Sequence, residues 1–443
     1  MLDINFIREN PEVVKESQKK RGMNSQDVET LLDLDKDWRQ LKEETDNLRS
    51  RRNKISQEIN DARKQGKDIN LLLQEAKDLP SKIQEKENIS TRLKEKRDSI
   101  LKNIPNLVNK DVPLGDSSKN KIIEEWGKKR KFKFKPKDHA DLLEALDLLD
   151  TQTASNVAAS RFYYLKGDLV RLNYALICFA LDFLRKKNFT LMQPPFMLRK
   201  NILEGAIPLN AFEEMIYKIE GEDLYLIGTA EHAINAYYYN KEIPESKLPL
   251  RFAGISTCFR KELGSHGKDT KGIFRVHQFE KVEQFIFCKP EDAWKEFELI
   301  LDNSRQLLKL LEIPFRFVIL SSQDMGRVPT KTIDFECYFP SQNAYRELGS
   351  CSNCTDYQSR RSNIKYQKGG EIKFVYTLNN TAISTARFMD CFVDNHQQED
   401  GSIKIPKSLW KYTGFKIIKP IGKVNKIKKP KKGRGKNGKK TVK

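Results

Sequence analysis

Between Leu31 and Ala62 one side of the chain is marked out at intervals of three and four residues: Leu31, Leu34, Trp38, Leu41, Thr45, Leu48, Arg52, Ile55, Ile59 and Ala62. Apart from Thr45 and Arg52 this seam is apolar, which a strand with its period of two cannot use and a coiled-coil helix requires. The stretch RKQGKDIN at 63–70 ends the pattern with Gly66 and a polar cluster. A returning helix is expected to carry Leu72, Ala76, Leu79, Ile83, Leu93, Ile100 and Ile104 on its seam, with Lys86, Ser90 and Arg97 intruding and Pro80 introducing a kink. Two such antiparallel helices form an arm about 45 Å long at ~1.5 Å per residue. An arm of that shape has no room for a catalytic pocket, but it can reach a partner.

The breaker-rich stretch IPNLVNKDVPLGD at 104–116 marks the passage to a different kind of domain. Beyond it, short β-like runs alternate with helical ones, and a long hairpin among them favours an antiparallel sheet packed with helices, an α+β arrangement. The expected division is an N-terminal domain at 1–110 with its arm at about 28–105, a catalytic domain at 111–414, and a disordered basic tail at 415–443. The tail accounts for much of the formal net charge of +20: thirteen Lys and Arg lie at 416–443 with no acid, leaving +7 for the rest. That balance points toward a polyanionic partner. No apolar run is long enough to span a bilayer and the start MLDINFIRENPEVVKE has no signal-peptide core, so a cytoplasmic protein is expected. The seven cysteines are scattered, and only Cys351 and Cys354 form a CxxC, so zinc is not expected.

The hairpin is FRKELGSHGKDTKGIFRVHQFEKVEQF, 259–285, with aromatic and β-branched flanks around a turn-forming centre. Alternation sets Arg260 and Glu262 on one face of its first strand, and His277, Phe279 and Glu283 together on its second. Such a face can hold a nucleotide: a guanidinium forks onto phosphate oxygens, a ring stacks on a base, and carboxylates receive an amino group or a metal. Three further segments offer polar groups at element ends. LYLIGTAEHAINAYYY reads as a strand entering a helix at Thr229 and Glu231, and YRELGSCSNCTDYQSRR places Glu347 and Ser350 in a loop or strand end. FVYTLNNTAISTARF passes from strand to helix through Asn379, Asn380 and Thr381, with Arg387 about two turns into the helix. No GxxxxGK[ST] or GxGxxG loop is present, so a nucleotide bound here is held by another scaffold.

In this order the segments resemble the class II aminoacyl-tRNA synthetases, and within them the seryl-tRNA synthetases in their eukaryotic cytosolic form. The hairpin looks like the second motif of the class, FTLMQPPFM with Pro194 and Pro195 like the first, and TLNNTAISTARF like the third, with Ala382, Ser384 and Ala386 where other class members carry glycines. The resemblance implies an ATP site of Arg260, Lys261, Glu262, Val276, His277, Gln278, Phe279, Glu347, Leu348, Gly349, Ser350 and Arg387, with Arg260, Glu262 and Arg387 catalytic and Glu347 a Mg²⁺ ligand. Serine is implied to bind at Thr229, Ala230, Glu231, Arg260, Glu283, Asn379 and Thr381. It further implies a homodimer through the first motif. The arm would lie along the long variable arm of tRNA(Ser), for which Arg49, Arg51, Arg52, Lys54, Arg63 and Lys64 are the candidate phosphate contacts. The implied reaction is adenylation of L-serine by ATP and transfer to the 3′ end of tRNA(Ser), and of tRNA(Sec) where present. The alternative, a catalytically silent synthetase-like RNA-binding protein, would be marked by loss of Arg260, Glu262, Glu283 or Arg387, and all four are present. A ligase charging a carrier protein would have no need of the arm.

Overall fold

The computed structural model describes residues 1–208, 213–262 and 271–419. The centre of the hairpin and the basic segment from 420 onward lie outside them. After two short helices, Ile4–Glu9 and Pro11–Lys20, helix α1 runs Gln26–Lys64 and helix α2 returns over Asn70–Asn103, the turn between them passing through Gly66 at φ +65°. Acidic Asp27 and Glu29 occupy the first turn of α1 and basic Arg63 and Lys64 its last, each matching the partial charge of that helix end. The expected kink is not a break, because α2 continues through Pro80.

Two seam positions differ from the sequence reading. Arg52 is exposed, whereas Asp35, which the apolar pattern skips, is fully buried. Arg8 forks onto the Asp35 carboxylate at 2.7 and 2.8 Å, and Arg39 and Arg97 reach it at 3.1 and 3.3 Å. The intruding Arg97 is buried with its guanidinium over the Trp38 ring, 4.3 Å from the centroid. Burial pushes the Asp35 carboxyl upward, but its hydrogen bonds and the charges of Arg8 and Arg39 outweigh that and hold it below the ordinary carboxylate range. A depressed carboxylate adds stability above the unfolded-state value near ~3.9, and that stability is lost as pH falls through the lower folded value. Asp35→Ala is accordingly expected to cost about 2–4 kcal/mol, the exposure of Arg39 lowering the figure, and to flatten the acid limb of a thermal-melting pH series.

The sheet has eight strands: β1 Lys121–Trp126, β2 Thr190–Met192, β3 Leu250–Phe259, β4 Gln278–Cys288, β5 Phe315–Ile319, β6 Lys331–Phe339, β7 Ala344–Thr355 and β8 Tyr376–Ser384. Their order is β1-β5-β6-β7-β8-β4-β3-β2, antiparallel throughout except for the β2–β3 pair at one edge. Central strands such as β4 are buried on both faces, and β4 carries Lys281, Glu283 and Gln284 among its buried residues. One face is covered by α4 (Asp168–Lys186), α6 (Ala293–Leu310) and α7 (Thr385–His396), whose apolar stripes meet Phe315, Phe317, Phe335 and Ile383 in the main core. On the other face lies α5 (Ala230–Tyr237). It packs closely because Gly254 has no side chain; a Cβ there would stand 2.5 Å from Ile234 Cδ1 and 2.9 Å from Ala230 Cβ.

The base of the arm is fixed to this body. Leu2, Ile7, Val28, Leu31, Leu101 and Ile104 form a cluster with Val328, Cys354 and Tyr357. Arg21 donates to the carbonyls of Asn106 (3.0 Å), Gly326 (2.7 Å) and Pro329 (2.7 Å), and burial lowers its pKa to about 10. At the other end of the chain the boundary drawn at 415 falls inside folded structure: Phe415 packs against the core, and Ile417–Ile418 pairs with Ile403–Lys404.

Candidate active site

The hairpin is β3 followed by β4, with Phe259 opposite Gln278 and Gly254 opposite Glu283. Arg260 and Glu262 lie beyond the end of β3, and Glu262 has φ +50°, so the two do not share a strand face as expected. One more rung forms, Arg260 N–H to His277 O at 2.9 Å, which holds the Arg260 backbone in register. Its guanidinium donates Nε–H to Gly228 O at 3.2 Å and stands over the Phe279 ring, 5.4 Å from the centroid. No carboxylate among the described residues pairs with it. The Glu262 carboxylate accepts from Arg275 Nη1 at 2.9 Å.

Arg260, Phe279 and Arg387 line one cavity, whose floor is Glu347, Leu348, Gly349 and Ser350. These four do not lie in a loop: they sit in the middle of β7, one of the central strands. Asn379, Asn380 and Thr381 lie within β8, and the helix begins only at Thr385, so Arg387 occupies the first turn of α7 rather than a place about two turns in. That position lets Arg387 reach Glu347 at 3.1 Å. Gly349 makes the floor possible, since a Cβ there would lie 2.4 Å from Phe335 Cζ and 2.7 Å from Thr381 Cβ. Gly349→Ala should displace β7 against β8 and reduce activity by about 10²-fold, checked by steady-state kinetics on protein with an unchanged circular dichroism spectrum.

The expected residues do not all meet at this cavity. Val276 lines it. His277 packs against Phe162 and Tyr217, with ring centroids 5.2 and 6.2 Å away, and Gln278 faces a groove beside Phe162 and Tyr174. The Lys261 ammonium stands over Tyr217 at 5.8 Å. Ala230 is fully buried in the apolar cluster beneath α5. Thr229 caps α5 as anticipated, accepting from Glu231 N–H at 3.3 Å.

Sequence reasoning passed over Phe274, Arg275, Lys281 and Ser384, all of which line the cavity. Lys281 was within reach of the alternation that placed Phe279 and Glu283 on one face. It closes an ion pair with the Glu283 carboxylate, both side chains buried, and Thr229 Oγ1 donates to the same carboxylate at 3.4 Å. Phe274 is flanked by Arg346 and Arg387, 4.2 and 5.2 Å from its centroid.

A second cavity adjoins the first and shares Glu347 and Ser350 with it; Glu231, Asp334 and Asn379 line it, under the segment 326–329 that holds the base of the arm. Glu231 accepts from Gln358 Nε2 at 2.6 Å and Asn379 Nδ2 at 3.3 Å. Burial, then the charge of Glu283, pushes its pKa up to about 7. Asp334, opposite Ser350 in the β6–β7 ladder, is raised by burial and by Glu347. Cys351 lies in the main core and Cys354 in the cluster at the arm base, on opposite sides of β7. Among the described residues no group of three or more His, Cys, Asp or Glu could hold a metal.

On the arm, Arg49 pairs with Asp46 and Glu87, and Arg51 with Glu58 and Glu75, joining α1 to α2. Arg52, Lys54, Arg63 and Lys64 are exposed, with no carboxylate partner among the described residues.

An antiparallel sheet carrying an arginine at the hairpin exit, an aromatic ring behind it and a second arginine at the start of the following helix defines the core of a class II aminoacyl-tRNA synthetase. Residues 215–396 match the family model of the tRNA synthetase class II core domain (G, H, P, S and T), and residues 1–108 that of the seryl-tRNA synthetase N-terminal domain. The chain belongs to the seryl-tRNA synthetase family. It is 45% identical to the serine–tRNA ligase of Nitrosopumilus maritimus, covering 94% of this chain and 99% of that one, and 46% identical to that of Pyrococcus abyssi, covering 96% and 98%. The crystal structure of seryl-tRNA synthetase from Pyrococcus horikoshii complexed with ATP superposes with a TM-score of 0.91 at 45% identity, over 95% of this chain and 100% of that one. A cytoplasmic serine–tRNA ligase from Naegleria fowleri, in complex with AMP, gives 0.84 at 38%, over 95% and 99%. The relatives at 45–46% are archaeal, so the comparisons do not support the eukaryotic cytosolic subtype.

Proposed function

We propose that this chain activates L-serine with ATP to seryl-adenylate and transfers the seryl group to the 3′ end of tRNA(Ser), and to tRNA(Sec) where the host has one. The observation that carries the reading is the junction of the two cavities, where a cationic site meets buried carboxylates across Glu347 and Ser350. In this reading the adenine base lies between Phe279 and Arg387, and Arg260 takes the α-phosphate. Serine is held by its ammonium at Glu231 and Glu283, with Thr229, Asn379 and Thr381 about its hydroxyl. The serine carboxylate then attacks the α-phosphorus and pyrophosphate leaves. The protein need only align the reactants and balance the growing negative charge. Arg260 and Arg387 are fixed where that charge develops.

Glu347 and Ser350 offer hard oxygen donors, and Asp334 lines the same cavity as Glu347, so a cation there would offset gathered negative charge. Mg²⁺ would be held at Glu347 with few protein ligands, the substrate phosphates and water completing its shell, and would supply charge neutralisation. Discrimination against alanine and glycine rests on polar groups left unpaired without the serine hydroxyl.

A division near residue 110 between the N-terminal and catalytic domains, a homodimer through the first-motif region and a cytoplasmic location belong to the same proposal. No helix of the described residues is long and apolar enough to cross a membrane. Exposed Arg52, Lys54, Arg63 and Lys64 are the arm residues best placed for the variable arm of the tRNA.

Glu231, with a pKa pushed up to about 7, must be ionised to receive an ammonium. The KM for serine should fall as pH rises through about 7. Glu231→Gln should raise KM and remove that dependence, as a KM–pH series on both proteins would show. The test of the function itself is charging of labelled serine onto a tRNA(Ser) transcript, compared with one lacking the variable arm. Charging of neither transcript by folded protein would refute the reading.

A further inference from the structure

Outside the site and the arm, the densest positive charge in the described residues is at 128–137, KKRKFKFKPK, with seven basic residues in ten and no acid. Exposure alternates along it. Lys131, Lys133, Lys135 and Lys137 are exposed, while Phe132, Phe134 and Pro136 turn inward and are half-buried. The two phenylalanine rings lie together at 4.8 Å. The segment bends at Lys133 and Phe134 and keeps its lysines toward solvent, and none of the four has a carboxylate partner among the described residues.

Both ends are fixed to elements that line the candidate active site. At the start, Lys129 stands over the Tyr345 ring at 5.2 Å, two residues before Glu347 on β7, and Arg130 pairs with Glu312 at 3.6 Å. At the far end, Lys137 N–H donates to Gln397 Oε1 at 2.9 Å and Gln397 Nε2 returns a bond to Lys137 O at 3.0 Å. Next, Asp138 caps helix α3 (His139–Ala145) and His139 Nε2 accepts from Ile273 N–H at 3.1 Å, beside cavity-lining Phe274. Four unpaired lysines along an anchored strip repel one another and add nothing to packing. A polyanion laid across them is the complement that removes the repulsion.

We propose that 128–137 is a phosphate-binding strip for the acceptor end of the tRNA, guiding the strand whose 3′ terminus must enter the cavity beside Glu347. This rests on the seryl-transfer reading above and adds a contact distinct from the arm. In the full chain, Lys131, Lys133, Lys135 and Lys137 are all changed to Gln. Serine-dependent pyrophosphate exchange, which needs no tRNA, should stay at the wild-type rate and so certify folding. Meanwhile kcat/KM for a tRNA(Ser) transcript should fall about 10–100-fold, and the slope of log Kd against log salt should become shallower by about 3. A transcript lacking the variable arm should lose affinity by the same factor. Wild-type kcat/KM and salt slope in the variant, or a loss confined to the transcript with its variable arm, would overturn the proposal. Absence of exchange in the wild type would count against serine activation instead, and the salt slope would still decide the strip.

Discussion

Arg260→Ala should lower serine-dependent exchange of pyrophosphate into ATP by about 10³-fold, mostly in kcat, with the KM for serine changed little. Three features give Arg260 this weight. Its backbone is pinned by the rung to His277, its Nε–H is spent on Gly228 O, and the rest of its fork faces the cavity with no carboxylate among the described residues paired to it. An arginine already oriented over Phe279 costs no reorganisation when charge builds on the α-phosphate. Lys at this position would keep the charge but lose the planar fork, and Arg260→Lys should recover only a small part of the rate. Pre-steady-state measurement of adenylate formation separates the loss of chemistry from any loss of binding.

Glu283→Ala should fail differently. Its carboxylate is buried and neutralises the Lys281 ammonium, itself buried. Removing it leaves an uncompensated charge, costing about 3–5 kcal/mol of stability, and should raise the KM for serine by about 10³-fold because the ammonium loses its receiver. The double variant Glu283→Gln, Lys281→Met removes both charges. It should melt close to the wild type yet remain as poor with serine, which separates the binding role from the structural one. A double variant with wild-type KM would show that the ammonium is received elsewhere.

Parts of this site were legible in the sequence because local pattern and tertiary structure agree there. The aromatic flanks and polar centre of 259–285 announce a hairpin, and Thr229 before an apolar helical run is an ordinary N-cap. Where they disagree, local pattern misled. Asn379, Asn380 and Thr381 look like a strand-to-helix junction, yet they lie within β8. There Asn380 Nδ2 donates to Ile300 O at 2.5 Å and Ser304 Oγ at 2.9 Å on α6, and Asn379 Nδ2 donates to Glu231. Polar residues survive in a central strand when a neighbouring helix supplies partners, and no window around residue 380 contains α6. Gly349 reads as loop by composition and is in fact the price of close packing between Phe335 and Thr381. Asp35 was missed for the same reason, since the arginines that let it be buried stand 27 residues before it and 62 after. Lys281, by contrast, obeyed the period-two rule and could have been read.

The class II core is shared by enzymes for several amino acids, so the central claim turns on which one is activated. The most direct measurement is exchange of labelled pyrophosphate into ATP with serine, threonine, alanine, glycine and proline compared in the full chain. Exchange with serine alone is the predicted result. Exchange with another of these amino acids in preference to serine, or with none of them in folded protein, would contradict the account.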